Sequence, residues 1–240
     1  MTRLDVLVTK SGLVESRERA QALIIAGKVK VAGETVRKPD RNVRDEDVIT
    51  VDKTDEWASR GALKLGPALD RFGVAPDGRV CADIGASTGG FTDVLLRRGA
   101  SRVFAVDVGR GLLHWRLRQD PRVVVIERTN ARDLESFPDP VNLVVIDVSF
   151  IGLEKVLPAI RRAAPAAEVV ALFKPQFEVG RADVGKGGIV RDEAVVERSL
   201  AGFRKWCGAN GYELAGEVAS EVAGAEGNRE IFLHLRPERT

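Results

Sequence analysis

The chain is poor in the residues that staple a fold or cage a metal. Cys81, Cys207, His114 and His234 are its only cysteines and histidines in 240 residues. That excludes a disulfide framework and a cysteine–histidine zinc cluster, and no metal is expected. Such cysteine usage reads as cytosolic. Long hydrophobic runs are also missing: none approaches the ~18 apolar residues of a membrane span. The opening Met1-Thr2-Arg3-Leu4-Asp5 puts an acid where a secretory signal carries its apolar stretch, so neither a leader nor a membrane partner is expected. There is no charge excess. Lys plus Arg total 37 against 35 Asp plus Glu, a net charge of +2, so any nucleic-acid contact must come from a local patch. What is present is ordinary folding material, 44% hydrophobic and 30% charged, enough for a packed core and one or two domains.

The first fifty residues differ from the rest. Leu4, Val8, Leu13, Ala20, Leu23 and Ile24 recur at helical spacing, interrupted near Gly12. Ser16 is a natural N-cap for a helix over 17–24, and Gly27 a natural stop. Val29-Lys30-Val31, a turn at 32–34 and Thr35-Val36 predict a hairpin, and residues 47–51 a closing strand. Between Lys28 and Arg44 six basic residues face two acids. The polar, non-periodic run around residues 53–60 predicts a linker between a small α+β domain (1–52) and a larger one (61–240). Ser59 is expected to cap a helix through Leu69. From residue 79 short apolar strands alternate with helices: strands at 79–84, 102–107, 123–126, 141–147 and 169–173, helices at 90–98, 152–163 and 191–210. Strands at 212–218 and 229–235 follow with only a loop between them. This pattern predicts an α/β, Rossmann-like, mainly parallel sheet with an antiparallel last strand.

The strongest chemical signal is Cys81-Ala82-Asp83-Ile84-Gly85-Ala86-Ser87-Thr88-Gly89-Gly90-Phe91-Thr92. A buried strand ends in a glycine-rich turn that opens a helix, where glycines allow a ligand to approach the backbone. The next strand ends at Asp107, an acid able to accept from ribose hydroxyls. The spacing departs from the dinucleotide pattern G-x-G-x-x-G, since residue 87 is serine. An acid two residues before the first glycine points instead to S-adenosylmethionine. Asp83, Gly85, Ala86, Ser87, Thr88, Gly89, Gly90, Phe91 and Asp107 are the expected cofactor residues. Asn130, after the third strand, is expected near the adenine.

Topology brings three of four further residues to the same crevice. Asp147 and Lys174 end strands, an antiparallel last strand brings the start carrying Glu230 to the same edge, and Lys64 precedes the first strand. Each alone reads as a solvated cap. Together, two lysines and two carboxylates beside a cofactor loop suit methylation of a ribose 2′-hydroxyl, whose oxygen must lose its proton as it attacks the sulfonium methyl. Lys174 is the expected base; Lys64, Asp147 and Glu230 position and tune it. A second lysine and the sulfonium favour the neutral amine, while the carboxylates oppose it.

These segments resemble the TlyA (hemolysin A) family of ribosomal RNA cytidine 2′-O-methyltransferases, related in the catalytic domain to FtsJ-type enzymes, over nearly the whole chain. Arg3-Leu4-Asp5, Ser16-Arg17 and Gly27-Lys28-Val29-Lys30-Val31 resemble an S4 RNA-binding domain. Ser59-Arg60-Gly61 with Lys64, Asp147-Val148-Ser149-Phe150, Lys174-Pro175-Gln176-Phe177-Glu178 and Gly227-Asn228-Arg229-Glu230 resemble the stretches carrying the family's K-D-K-E tetrad. One departure is Leu112, where a glutamine is expected beside the cofactor. The resemblance implies ribosomal RNA or ribosomal subunits as partner and S-adenosylmethionine as cofactor. Arg3, Arg17, Lys28, Lys30, Lys38 and Arg41 then become phosphate contacts, which supply affinity without sequence reading. A monomer is favoured. The alternative is a non-catalytic RNA-binding or ribosome-assembly factor that keeps the fold, but such a protein needs no lysine at 174. A membrane-active hemolysin lacks a suitable amphipathic helix. A C5 base methyltransferase lacks a cysteine beside proline. Lys186-Gly187-Gly188 reads as a loop over the crevice. Trp57 reads as an interdomain or RNA contact, and Trp115 as a packing residue.

Overall fold

The structure, a computed structural model, describes residues 1–14, 16–51, 57–224 and 227–238. The chain divides into two compact units, Met1–Glu56 and Trp57–Thr240. Of the expected linker, residues 53–56 lie outside the described residues, while 57–60 belong to the second unit.

The first unit runs β1 (Thr2–Arg3), α1 (Leu4–Lys10), α2 (Arg17–Ile25), β2 (Val29–Val31), β3 (Glu34–Val36), β4 (Asn42–Val43) and β5 (Ile49–Val51). Ser16 Oγ accepts the Arg19 N–H at 3.2 Å, which satisfies one of the helix's orphan donors. β2 pairs antiparallel with both β3 and β5. Leu4, Val8, Leu23, Ile24, Val29 and Val36 close one apolar core between the helices and this sheet. Each such side chain contributes about 1.5–3 kcal/mol by burial, which a unit this small needs.

The second unit runs α3 (Ala62–Phe72), β6 (Val80–Ile84), α4 (Gly90–Arg97), β7 (Arg102–Val106), α5 (Trp115–Arg118), β8 (Val123–Ile126), β9 (Leu143–Ile146), α6 (Leu157–Ala163), β10 (Glu168–Phe173), α7 (Pro175–Glu178), α8 (Glu193–Ala209), β11 (Tyr212–Ala219) and β12 (Ile231–Pro237). Seven strands form one sheet in the order β11-β12-β10-β9-β6-β7-β8. β6 to β10 are mutually parallel, and β12 runs antiparallel to β10 and β11. Both faces of the inner strands are covered, so β9 is apolar throughout, whereas the edge strand β11 alternates exposed with more buried residues. On one face Ile84, Phe104, Ile146 and Phe173 meet α6 and α8. On the other, Cys81, Val103, Val145 and Phe232 meet α3 and α4.

Two local expectations are corrected. Ser59 does not cap α3: Gly61 holds that position, and Ser59 Oγ instead accepts the Gly61 N–H at 3.3 Å. The helix expected at 152–163 is a 3₁₀ turn at Leu153–Lys155 followed by α6. Pro158 is the reason, because it lacks an N–H and fits only the first turn of a helix, so the helix starts afresh there.

Candidate active site

Strand order reverses between β6 and β9, and their carboxyl ends define the crevice where open α/β sheets bind ligands. The two ends touch. Gly85 has φ +85, and a Cβ there would lie 2.5 Å from the Asp147 carbonyl oxygen. Two cavities open at this point, of about 540 and 570 Å³, and share Gly85, Ser87 and Asp147. The first is lined by Ser59, Arg60, Lys64 and Phe91 and by Asp83, Ala86, Thr88 and Gly90. The second is lined by Asp107, Leu112, Asn130, Ser149, Phe150 and Lys155 among others.

Asp83 is wholly buried. Its Oδ2 accepts the Thr92 N–H at 2.8 Å and the Thr92 hydroxyl at 2.6 Å. Its Oδ1 has no partner among the described residues. Burial raises this carboxyl to about 7, the Thr92 hydroxyl opposes the rise and the Asp147 charge adds to it. Asp107 shapes the turn: its Oδ2 accepts the Ser87 N–H at 2.8 Å and its Oδ1 the Gly109 N–H at 2.7 Å. Asn130 Oδ1 accepts the Arg132 N–H at 3.1 Å, capping a short 3₁₀ turn at the cavity wall. Close packing also leaves no room for a side chain at two of the glycines. Gly89, at φ +94, has Leu117 Cδ1 2.3 Å from its would-be Cβ, and Gly90 has Ser59 Oγ at 2.3 Å. Gly89 therefore faces the core, not the cavities.

The four tetrad positions form two ion pairs. Lys64 Nζ donates to Glu230 Oε2 at 2.6 Å, joining α3 to the residue before β12. Lys174 Nζ lies 2.6 Å from Asp147 Oδ1, a contact ion pair outside hydrogen-bond geometry, and donates to Ser149 Oγ at 3.1 Å. Both lysines are nearly buried, with 13% and 10% of their side-chain surface exposed. One member of each pair, Lys64 and Asp147, lines the first cavity; Glu230 and Lys174 are in contact with these two.

Residues outside the expected cofactor and tetrad sets are also placed by the structure. Phe150 is 91% exposed at φ +65, a left-handed conformation that a bulky residue rarely adopts. Its ring lies 5.2 Å from that of Phe177. Ser149 holds Lys174, and its place two residues after Asp147 was a signal within reach. Phe150's exposure was not, because a single aromatic after a strand reads as core. Trp57 lies under the Arg97 guanidinium, 4.3 Å from the ring centre, and Asp93 Oδ2 accepts the Ala58 N–H at 2.9 Å. Asn228 ties down the 186–190 loop, donating to the Gly188 carbonyl at 2.8 Å and accepting the Val190 N–H at 3.0 Å.

In the first unit, Arg3 and Arg17 meet at Asp5. The wholly buried carboxylate accepts from Arg3 Nε at 3.1 Å, Arg17 Nε at 3.0 Å and Gln21 Nε2 at 2.8 Å. The Arg3 hydrogen bonds hold Asp5 well below the usual carboxylate range, against its burial. About half of each guanidinium side chain stays exposed. Lys30, Lys38 and Arg41 are exposed and Lys28 half-buried.

A parallel sheet with one reversed terminal strand, a glycine turn after its first strand and acids ending the first two strands define a Rossmann-like methyltransferase fold, preceded by an S4 unit. Residues 57–237 match FtsJ-like methyltransferase and residues 2–49 match the S4 domain. The chain belongs to the FtsJ-like methyltransferase family. It is 49% identical to the 16S/23S rRNA (cytidine-2′-O)-methyltransferase TlyA of Mycobacterium tuberculosis, over 98% of this chain and 90% of that protein. It is 33% identical to the 23S rRNA (cytidine-2′-O)-methyltransferase TlyA of Campylobacter jejuni, over 97% and 98%. A solved structure of a hemolysin-like protein from Streptococcus thermophilus superposes with a TM-score of 0.74 at 40% identity, covering 100% of this chain and 89% of that one.

Proposed function

We propose that the protein methylates the 2′-hydroxyl of cytidine in ribosomal RNA, with S-adenosylmethionine as methyl donor. The observation that carries the reading is the pair of buried lysine–carboxylate contacts, Lys64–Glu230 and Lys174–Asp147, at the edge of one cavity. S-adenosylmethionine supplies, when bound, a methyl group activated on a sulfonium. The residues fit it: Asp83 Oδ1 is a buried acceptor in want of a donor, suited to the cofactor's cationic end, and Asp107 and Asn130 line the adjoining cavity.

The chain's own groups account for the rest. Lys174 in its neutral form keeps two N–H bonds and one lone pair. Ser149 Oγ takes one N–H, the Asp147 carboxylate 2.6 Å away is close enough to take the other, and the lone pair is left for the substrate hydroxyl. Lys174 Nζ would take the 2′-hydroxyl proton as that oxygen accepts the methyl group, and the bound donor would supply the methyl and keep the electron pair of the broken carbon–sulfur bond. The Lys64 ammonium, fixed by Glu230, stabilises negative charge growing on that oxygen. The exposed Phe150 ring offers a stacking surface for a base turned out of its helix.

The S4 match and the printed activities of the relatives support ribosomal RNA as substrate. In this reading residues 1–52 grip RNA through Arg3, Arg17, Lys28, Lys30, Lys38 and Arg41, residues 53–60 link the units, and residues 61–240 carry the chemistry. No described helix is long and apolar enough to cross a membrane, and the proposed site of action is the cytoplasm, as a monomer on ribosomal subunits. The test is methyl transfer from labelled S-adenosylmethionine to ribosomal subunits lacking the modification, with nucleosides separated afterwards. Label in 2′-O-methylcytidine supports the reading. Label in a methylated base, or none, overturns it.

A further inference from the structure

The segment 147–153 carries Asp147, Ser149 and Phe150, and α7 with the residue before it carries Lys174 and Phe177. Glu178 joins them. It is the last residue of α7, and its Oε1 accepts the Leu153 N–H at 2.8 Å. Leu153 opens the 3₁₀ turn 153–155, and the N–H groups at such a start have no partner within the turn. Gly152, the residue in capping position, has no side chain to supply an acceptor. Nor is there room for one: a Cβ at Gly152 would lie 2.8 Å from Glu178 Oε2 and 3.4 Å from the Phe177 carbonyl oxygen. Gly152 and Glu178 are thus a matched pair, with the cap delivered from a distant part of the chain. Glu178 is itself anchored, since its carbonyl accepts the Ser199 hydroxyl of α8 at 3.2 Å. Burial raises its carboxyl to about 7, the Leu153 N–H pulls it down, and Glu154 adds to the rise. A buried carboxylate from a distant part of the chain thus caps a turn only three residues long.

We propose that Glu178 is a positioning residue that, by holding the Leu153 amide, fixes Asp147, Ser149 and Phe150 against Lys174 and Phe177. The proposal rests on the methyl-transfer reading above. The contacts it sets are the Lys174–Asp147 pair at 2.6 Å, the Lys174–Ser149 bond at 3.1 Å and the Phe150–Phe177 pair at 5.2 Å. All three bridge the same two segments, so a slip between the segments moves all of them. The Lys174 lone pair is aimed by two of these, and a displacement on the order of 1 Å costs about a hundredfold in rate.

The test compares full-length wild type, Glu178→Gln and Glu178→Ala. Glutamine keeps an oxygen for the Leu153 N–H and drops the charge; alanine removes the acceptor. Three quantities are read: kcat for methyl transfer to ribosomal subunits, hydrogen exchange at the Leu153 amide, and the unfolding midpoint. The expected result is a kcat loss of about tenfold or more in Glu178→Ala, with Glu178→Gln within about threefold of wild type. The Leu153 amide exchanges faster in Glu178→Ala and stays protected in Glu178→Gln. A purely structural role would move kcat only as far as the midpoint moves. Equal kcat in Glu178→Ala and wild type overturns the proposal, and so does an equal loss in both variants. If wild type itself transfers no methyl, the function reading falls. The exchange data then decide the staple, and it falls too if the Leu153 amide is as fast in wild type as in Glu178→Ala.

Discussion

Asp83→Asn separates what the cofactor site needs from what the fold prefers. The Asp83 carboxyl is wholly buried and raised to about 7 from a reference of 3.8. The folded protein therefore binds this proton more tightly than the unfolded chain does. Stability contributed at low pH is lost as pH climbs from about 4 to 7, by about 4 kcal/mol for roughly three pKa units. Asparagine removes the charge and keeps an oxygen for the two Thr92 donors. The variant should gain stability over wild type as pH rises, with about 2–3 kcal/mol of the gain developing between pH 5 and pH 8. Function should move the other way. In the proposed reading Oδ1, which has no partner among the described residues, takes the cofactor's cationic end; in the variant an amide N–H₂ stands there. The cofactor Kd should rise at least about tenfold, the order expected for losing one charge-assisted hydrogen bond. Wild-type affinity should also improve from pH 6 to pH 8, because binding draws on the ionised form, and the variant should be flat. Denaturant titrations at several pH values and calorimetric cofactor binding measure both halves. Parallel stability–pH curves for the two proteins, or an unchanged Kd, would refute the reasoning.

Other outcomes follow from neighbouring geometry. Lys174→Ala should abolish transfer, by about 10²–10⁴ for loss of a general base, while cofactor binding survives; single-turnover assays and calorimetry read the two, and substantial residual transfer would remove Lys174 from the chemistry. Phe150→Ala should leave stability level or slightly higher, because an exposed side chain at φ +65 is lost. It should raise KM for RNA by the 1–3 kcal/mol of one stacked base, about fivefold to 160-fold, and tryptophan should restore it; an unchanged KM denies the ring a substrate role. Gly85→Ala combines a left-handed conformation with a Cβ 2.5 Å from the Asp147 carbonyl oxygen. A loss of about 2–5 kcal/mol is expected from strain plus overpacking, and an unfolding midpoint near wild type would contradict that contact. Neutralising Lys30, Lys38 and Arg41 together should lower the slope of log affinity against log salt by about 2–3; an unchanged slope makes that face a solvated one.

The fold was legible because both of its periodicities are clean. Val123–Ile126 and Val169–Phe173 are apolar on both faces, as strands in a covered parallel sheet must be, and Asp192 and Ser16 sit where helix caps are needed. The misreadings were also local and physical. Pro158 divided one apolar run into a 3₁₀ turn and a helix, and α7 was too short for any period to reveal. Among site residues, the strand-end acids and lysines followed from topology, since a switch point gathers carboxyl ends wherever they come from in the sequence. Which lysine meets which carboxylate did not follow, because the pairing depends on side-chain reach across elements 166 and 27 residues apart. Phe150 was hidden for a different reason. Its role depends on a positive φ, and nothing in Asp147-Val148-Ser149-Phe150 announces one.

The pairing has a consequence for how the site meets its substrate. Two lysines and two carboxylates cancel, so a buried tetrad can be kept only as two close pairs, each partner compensating the other's lost hydration. Removing one member leaves its partner charged, buried and alone, which is costlier than removing both. Lys174→Ala should therefore harm Asp147 as well as the proton transfer, and Lys174→Ala with Asp147→Asn should be the more stable protein though equally inactive. A neutral ribose hydroxyl enters such a site at little electrostatic cost, whereas a phosphate is not specially drawn to it. Attraction for the RNA backbone then belongs to surfaces outside the tetrad, such as the half-exposed Arg3 and Arg17 that Asp5 holds in place. Binding and chemistry are thereby assigned to different charges, and the salt concentration that weakens the first should leave the single-turnover rate of bound complex unchanged.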